Sequence, residues 1–588
     1  MKELVKPIYH RSSARDGGFI VVRNSTSALH TINDLREVSG ESAKHRDLKM
    51  KALFSASHCL SGEIPVSRFP YPASRIPYDL VGLTAVLAYA VFEWGGVLRR
   101  NQYVFLLAVG LLAVGYGMRK IDFGTCDSRL GTNGLRSGNV TADCELSSIG
   151  GNLRGKAGDG VVPRSLLPIP FPYYLIFGVV LLPVYVLLQV LPAPIALLRV
   201  LSPQRAAAVD ALTPIGARLN FAALSVSPGR TLQHFLLICG YISIFLLVRE
   251  LAWRQQERRW LTMAPIIALG ALESGLGLWQ NFGAGADRPR WGTYVNHNHY
   301  AGFLEMALPF AVMYPVAVLR RNHSSGYARA RATLAACGVW ALAAIMFAGL
   351  AFSFSRMGFV AALCSLLVIG VLALGNRRLS GVAPSPSWPR RVAAISAVVA
   401  LAGSLFAAPD KLILRYAQVA SVGGFRADIR ASVWPETISL IKAYPVVGCG
   451  LGGYESAFAK FGNEPLYTID FAHNDYLQLL AELGLPGFLI VALLGLGITR
   501  AAFTTAIFSR DQERRFLSVA CAGALAAILL HSVSDFNLYI PANAMLLAWI
   551  AGLTAANEIQ ASGATAASDT IARAGSQQKH LGLLIFRR

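Results

Sequence analysis

Long apolar runs separated by short polar loops dominate the chain from residue 78 to residue 556. A helix that crosses a bilayer needs roughly 20 apolar residues, because its backbone polar groups must bond within the segment. Twelve runs suit this role, and they lie near 78–98, 102–118, 171–192, 231–249, 261–279, 299–319, 332–352, 357–375, 392–408, 487–508, 516–534 and 541–556. The pattern predicts an all-α, polytopic membrane helix bundle of about twelve transmembrane helices.

Composition agrees with this pattern. Of the 588 residues, 54% are hydrophobic and only 15% are charged, and the mean hydropathy is +0.46. These values are typical of a chain embedded in a bilayer. The first apolar run starts too far along the chain for a cleavable signal peptide, so we expect the first span to act as its own signal.

The net charge of +21 sits largely in short loops on one side of the predicted spans. Basic clusters occur at 249–259, 320–331, 377–391, 510–515 and 587–588. Because basic loops are retained in the cytoplasm, this distribution predicts that both termini are cytoplasmic. The pair Arg99 and Arg100 is the exception, since the same topology places it outside.

Charge and loop length together divide the chain. Residues 1–77 hold twelve Lys or Arg and seven Asp or Glu without a sustained period, which predicts a disordered basic cytoplasmic tail. Nucleic-acid binding is not expected there, because aromatic residues are not interleaved with the charge. Spans one to nine occupy 78–408, a periplasmic loop subdomain 409–486, spans ten to twelve 487–556, and a second cytoplasmic tail 557–588.

The 78-residue loop at 409–486 is too long for a simple connection. It contains helical patterns at 433–444 and 476–483, separated by the Gly-rich stretch VVGCGLGGYESAF. Gly484 is expected to end the second helix, and Pro486 to prevent its continuation. The loop is therefore predicted to form a small helical subdomain on the bundle, between the ninth and tenth spans.

His473 lies at the start of this second helix, in the triplet His-Asn-Asp. The positive end of the helix dipole disfavours a protonated ring at this position. A neutral imidazole is the form that accepts a proton, so His473 is a candidate general base.

Polar residues gather on the outward side in three further clusters. These are RPRWGTYVNHNHYAGF at 288–303, SFSR at 353–356 and HSVSDFNLYIP at 531–541. Arg288, Arg290 and Arg356 face outward against the positive-inside trend, and guanidinium groups match phosphate oxygens. Anchoring to lipid headgroups or pairing with a carboxylate is the alternative for each arginine.

The sequence does not predict a metal site. His297 and His299 could join His473 as ligands, but no acidic residue stands at zinc spacing beside them. No nucleotide-binding loop, kinase motif or Gly-x-Ser-x-Gly element occurs. We therefore expect neither a metal nor another cofactor.

The motifs resemble those of the O-antigen ligase and polymerase superfamily. His473-Asn474, nine residues, and then Gly484 to Gly487 are similar to its H-N-x9-G-x-x-G signature. The segment from Asn296 through Asn298 to Leu304 looks like its Asn-x-Asn-x-x-Ala/Gly-x-x-Leu element. Residues 353–358 look like Ser-x-Ser-Arg-x-Gly, and Trp434 with residues 448–454 like the start of its long loop.

This resemblance implies a GT-C-like glycosyltransferase of the bacterial inner membrane. Its donor would be a glycan on undecaprenyl diphosphate, and its acceptor lipid A core or another glycan. His473 would deprotonate the acceptor, while Arg356 with Arg290 or Arg288 would hold the diphosphate. Asn474, Asp475 or Asp535 would orient the imidazole, with Asn296 and Asn298 in a supporting role.

Two other types of enzyme with the same donor chemistry remain as alternatives. A repeat-unit polymerase and a protein-targeting oligosaccharyltransferase use the same type of donor. A different class of function, export of an anionic glycan or lipid along an arginine-lined path, also remains. Exporters usually carry inverted repeats and helices broken near the bilayer midplane, and neither is apparent here.

Overall fold

The computed structural model describes residues 77–132, 172–283, 291–321, 325–379, 429–462 and 469–558. Within these ranges the chain is almost entirely helical. In chain order the elements are α1 Tyr78–Phe92, α2 Arg99–Thr132, α3 Leu182–Val190, β1 Pro192–Pro194, α4 Ile195–Leu201, α5 Pro203–Asp210, β2 Phe221–Ala223, α6 Pro228–Arg254, α7 Ala264–Phe282, α8 His297–Arg320, α9 Gly326–Ala351, α10 Arg356–Leu379, α11 Ile429–Ala443, α12 Tyr454–Phe458, α13 Asp475–Phe508, α14 Gln512–His531 and α15 541–558.

Eight helices of the described chain are long and apolar enough to cross a membrane. They span Arg99–Met118, Pro228–Arg254, Gln256–Phe282, His297–Arg320, Gly326–Ala351, Arg356–Ala373, Asp475–Phe508 and Gln512–His531. Shorter apolar helices at Tyr78–Phe92 and Phe177–Val190 match the first and third predicted spans, and α15 matches the twelfth. The protein is therefore an all-α, multi-pass membrane protein, as the apolar runs predict.

Several predictions fall outside the described residues. The ninth run at 392–408 does so, as do the tails at 1–76 and 559–588. Arg288 and Arg290 also lie outside them.

The connection between α3 and α6 contains regular structure that the apolar pattern does not predict. Strand β1 pairs antiparallel with β2, with Pro192 opposite Ala223, and the short helices α4 and α5 lie between them. Leu198 and Val209 from these helices pack with Leu224 and with Val447 of the long loop. This connection therefore belongs to the same end of the molecule as the loop subdomain.

The long loop has a hydrophobic core of its own. Helix α11 begins at Ile429, four residues before the predicted start, and α12 adds a short turn. Their apolar faces meet residues next to α13 in a cluster of buried side chains, namely Val433, Leu440, Tyr444, Cys449, Tyr454, Ala457, Phe458, Ala472 and Ala481. This packing sets the position of the segment that carries His473.

Helix α8 is the most completely buried of the eight candidate spans. It is apolar and rich in small residues, so neighbouring helices approach it closely. Gly358 of α10 packs against Ala301, and a side chain at Gly302 would collide with Asn537. The first turn of α8, which carries Asn298 and His299, is therefore fixed from two sides.

Candidate functional site

His473 stands directly before α13 in an unusual backbone conformation. Its φ is 50°, in the left-handed region that non-glycine residues rarely adopt. Asn474 caps the helix, because its side-chain oxygen accepts the N–H groups of Tyr476 at 3.0 Å and Leu477 at 3.1 Å. A capping asparagine thus starts the helix and leaves the preceding imidazole outside it.

The carboxylate of Asp535 lies beside the His473 ring. Asp535 Oδ1 is 3.8 Å from His473 Nδ1 and accepts the Phe536 N–H at 2.8 Å. The Asp535 side chain is fully buried, whereas 25% of the His473 side chain is exposed. Because Nδ1 itself is buried, the exposed part of the ring lies on its other atoms.

Asp535 is ionised at neutral pH. Burial alone would raise the pKa of its carboxyl, but the adjacent His299 and His473 rings outweigh burial and hold this pKa well below its usual range. A carboxylate facing Nδ1 favours the tautomer with its proton on that nitrogen. The other nitrogen, Nε2, is then the one able to accept a proton.

Asp475 has a different set of partners. Its carboxylate accepts the Ser532 hydroxyl at 2.8 Å and the Leu538 N–H at 3.3 Å. Its own N–H donates to the carbonyls of Ser532 and Asp535, at 2.9 and 3.0 Å. Asp475 therefore joins α13 to the 532–538 hairpin. Of the three residues expected to orient the imidazole, Asp535 is the one at ion-pair distance from it.

The Asn-rich segment before α8 and the SFSR turn before α10 meet beside His473 and Asp535. Asn296 caps α8 by accepting the Asn298 N–H at 2.9 Å. The Asn298 side chain then accepts the Ser355 hydroxyl at 2.8 Å, which ties α8 to the turn before α10. Arg356, the first residue of α10 and partly exposed, follows directly.

His299 reaches the same carboxylate from the opposite helix. Its Nε2 is 3.6 Å from Asp535 Oδ1, and its ring contacts Phe536 edge-on with centroids 4.7 Å apart. The His473 ring contacts Phe536 in the same manner at 5.0 Å. Three of the predicted polar clusters are thus linked in the order Asn298, His299, Asp535 and His473.

Among the described residues no three His, Cys, Asp or Glu side chains are grouped so that they could hold a metal ion. His297, the first of the histidines considered, instead contacts Trp291 with ring centroids 5.3 Å apart.

Sequence reasoning missed Arg430. It lies in the first turn of α11, and its Nε donates to the Ser534 carbonyl at 2.9 Å, one residue before Asp535. The signal was available, since Arg430 is another arginine in a predicted outward loop. It was missed because the helix was predicted to begin only at Val433.

An apolar cavity of about 520 Å³ lies between helices that flank the site. At the site its lining includes Tyr476, Ser532 and Tyr539, and along α13 it continues to Thr499. Most of its other lining is Leu, Ile, Val and Phe. A cavity with this lining suits a hydrocarbon chain better than a polar ligand.

The comparison with protein families agrees with these motifs. Residues 341–492 match the family described as O-antigen ligase. The matched region contains both Arg356 and His473, while Asn298, His299 and Asp535 lie outside it. No curated protein matches the chain. Residues 341–492 of this multi-pass membrane protein are therefore similar to the O-antigen ligase family.

Proposed function

We propose that this protein transfers a glycan from an undecaprenyl-diphosphate donor to a hydroxyl of lipid A core, as an O-antigen ligase does. The transfer would take place at the periplasmic face of the bacterial inner membrane, with both termini in the cytoplasm. The observation that carries the proposal is the partly exposed His473 ring, held before α13 with its Nδ1 3.8 Å from the buried Asp535 carboxylate.

Backbone strain supports a functional reading of the site. In the part of the chain that the structure describes, Phe354 and His473 are the two non-glycine residues with positive φ. Each such conformation costs on the order of 1–3 kcal/mol and persists where the surroundings enforce it, often at active sites. Both residues belong to the polar clusters that the sequence singled out.

The reaction can be written with these groups. The acceptor oxygen attacks the anomeric carbon while His473 Nε2 takes the hydroxyl proton. The bond between the anomeric carbon and the diphosphate oxygen breaks, and its electrons leave with undecaprenyl diphosphate. Asp535 stays ionised and stabilises the imidazolium that forms at His473.

Arginine side chains would stabilise the departing diphosphate. Arg356 follows the turn that binds Asn298, so it begins α10 next to the cluster that includes His299. Arg290 or Arg288 would add a second guanidinium group. Arg430 is a further candidate, because it contacts the hairpin that carries Asp535. Such fixed cations lower the energy of a transition state in which negative charge develops.

The apolar cavity offers a place for the lipid part of the donor. It reaches Tyr476, three residues after His473, and Ser532, which binds Asp475. A polyprenyl chain in this cavity would bring its diphosphate to the level of His473.

Replacing the proposed base tests the function directly. Purified wild-type and His473→Ala proteins are placed in liposomes with an undecaprenyl-diphosphate-linked oligosaccharide and a lipid A core acceptor. His473→Ala is expected to lower the transfer rate by about 10²–10⁴-fold, the usual contribution of a positioned base. Product is measured as oligosaccharide attached to lipid A core.

His297→Ala is the matched control, since it removes a nearby imidazole that contacts Trp291 instead. Its transfer rate should stay close to wild type. Full activity of His473→Ala would overturn the assigned base. Formation of a longer lipid-linked polymer, with lipid A core left unmodified, would indicate a polymerase. Movement of the donor across the bilayer without a new glycosidic bond would indicate an exporter.

A further inference from the structure

Two imidazoles face one carboxylate oxygen at this site, although the reaction above uses only one. Asp535 Oδ1 is 3.6 Å from His299 Nε2 and 3.8 Å from His473 Nδ1. The two rings also contact the same Phe536 ring edge-on. His299 is 6% exposed and is thus shielded from substrate, whereas His473 is partly open.

Neither imidazole nitrogen is within hydrogen-bond distance of the Asp535 carboxylate. His299 Nε2, His473 Nδ1 and Asp535 Oδ2 are buried without a hydrogen-bond partner in the described structure. Buried polar atoms are usually paired, so this arrangement is incomplete as it stands. A small rotation of the Asp535 carboxylate would give each imidazole its own oxygen.

The backbone on both sides is held in place independently of these rings. The Asn543 side chain donates to the His299 carbonyl at 2.9 Å, and Asp475 fixes the hairpin through Ser532. His299 is therefore not needed to anchor α8, whose first turn Asn296 already caps.

We propose that His299 is a positioning residue that competes with His473 for the Asp535 carboxylate and thereby keeps the His473 ring neutral. The catalytic consequence rests on the function proposed above, but the competition itself does not. With His299 present, the negative charge of Asp535 is shared between two rings. Without it, the full charge faces His473 and favours the protonated ring, which cannot act as a base.

Other charged groups lie on the helices that pack around His299, His473 and Asp535. Below it, the buried pair of His531 and Glu305 joins α14 to α8, with His531 Nδ1 2.9 Å from a Glu305 oxygen. Asp475 lies on α13, Arg430 on α11 and Arg356 at the start of α10. These groups are the same in all the variants below, so differences between variants report the contact with Asp535.

Carbethoxylation by diethyl pyrocarbonate tests the competition without any substrate. The reagent modifies neutral imidazole, and peptide mass spectrometry reads His473 separately from other histidines. In full-length protein in nanodiscs, the pH midpoint of His473 modification should rise by about one unit in His299→Gln, the scale of a neighbouring charge. His297→Gln, the same change two residues away, should leave the midpoint at the wild-type position.

Asp535→Asn provides the second arm. It removes the charge, so the His473 midpoint should fall, and adding His299→Gln to it should produce no further change. In the transfer assay, the acid limb of kcat for His299→Gln should move upward with an unchanged KM.

An unchanged midpoint in folded His299→Gln would overturn the proposal. So would a shift that persists in the Asp535→Asn background. If His299→Gln does not fold, Asp535→Asn decides, and a His473 midpoint that does not fall contradicts the competition. Normal transfer by His473→Ala would instead refute the proposed function, and the carbethoxylation results would still stand.

Discussion

At the scale of single residues, two buried aspartates 60 positions apart in the chain have different partners. Asp475 accepts a hydroxyl and a backbone N–H and so joins two elements. Asp535 instead faces two imidazoles at ion-pair distances. Replacing each with asparagine should therefore affect different properties of the protein.

Asp535→Asn is expected to lower transfer by about 10²–10⁴-fold, because an amide NH₂ facing His473 disfavours the required tautomer. Asp475→Asn is expected to lower the free energy of unfolding by about 1–3 kcal/mol, because its NH₂ would meet the donors from Ser532 and Leu538. Transfer assays and thermal unfolding in detergent measure the two effects. A catalytic loss confined to Asp475→Asn would contradict these assignments.

The ionisation of Asp535 also predicts how the stability difference between wild type and Asp535→Asn depends on pH. Folding lowers the pKa of this carboxyl, so its contribution to stability is present above the unfolded value of about 3.9 and is lost only as pH falls through the lower folded value. Wild type and Asp535→Asn should thus differ in melting temperature by at least as much at pH 5 as at pH 8, because the ionised carboxylate also favours protonation of the imidazoles beside it. A difference that shrinks at pH 5 would show that Asp535 takes up a proton there.

The sequence alone singled out His473 and Asn474 as candidate site residues but left the neighbour of the imidazole open among three residues. Asn474 and Asp475 are adjacent to His473, and local spacing therefore favoured them as much as Asp535. The choice depends on how the 532–538 hairpin packs against α13, which is a long-range contact. The contact between His299 and Asp535 is also long-range, and the sequence spacing of His299 therefore suggests only a metal ligand.

At the scale of elements, the backbone conformation of Gly484 explains why a glycine is needed at this point of α13. Its φ of 62° and ψ of −174° interrupt α13, and this combination is essentially restricted to glycine. A Cβ here would also collide with the Val446 carbonyl. The prediction that Gly484 ends the helix is correct locally. The prediction that Pro486 prevents its continuation is wrong, because helical geometry resumes at once with Pro486 inside it.

Gly484→Ala should lower the free energy of unfolding by at least about 1–3 kcal/mol through backbone strain alone. The displaced α13 N-terminus should also reduce transfer. Gly338→Ala is the matched control, because Gly338 lies inside α9 with open space around it, and it should leave stability within about 1 kcal/mol. Thermal unfolding measures both, and equal melting temperatures for the two variants would contradict the role of Gly484.

Short elements were the hardest to predict. The strands β1 and β2 have three residues each, and α4 and α5 have seven and eight. A segment of that length covers at most about two helical turns, so no hydrophobic period can be read from it. Their structure depends on contacts with the Gly-rich loop, such as the Val226 N–H that donates to the Cys449 carbonyl at 2.8 Å.

At the scale of the whole molecule, contacts between the described loops group them at two ends. At one end, Thr293 binds the Val91 carbonyl, and Tyr294 packs against Gly95 in the turn that precedes Arg99. At the other end, Arg259 pairs with Asp511 at 2.5 Å, and Arg321 pairs with Glu513. The first hairpin therefore turns at the same end as the candidate site, despite its two arginines.

Apolar run length predicted these crossings well because a bilayer allows few alternatives to a helix. Which end faces the periplasm is a separate question that labelling can decide. In a variant without the eight native cysteines, Lys442→Cys on α11 and Tyr327→Cys on α9 place one exposed thiol at each end. A membrane-impermeant maleimide should label the first in intact spheroplasts, and the second only after the membrane is permeabilised. The opposite result would place His473 in the cytoplasm, where an acceptor assembled on the outer leaflet could not reach it.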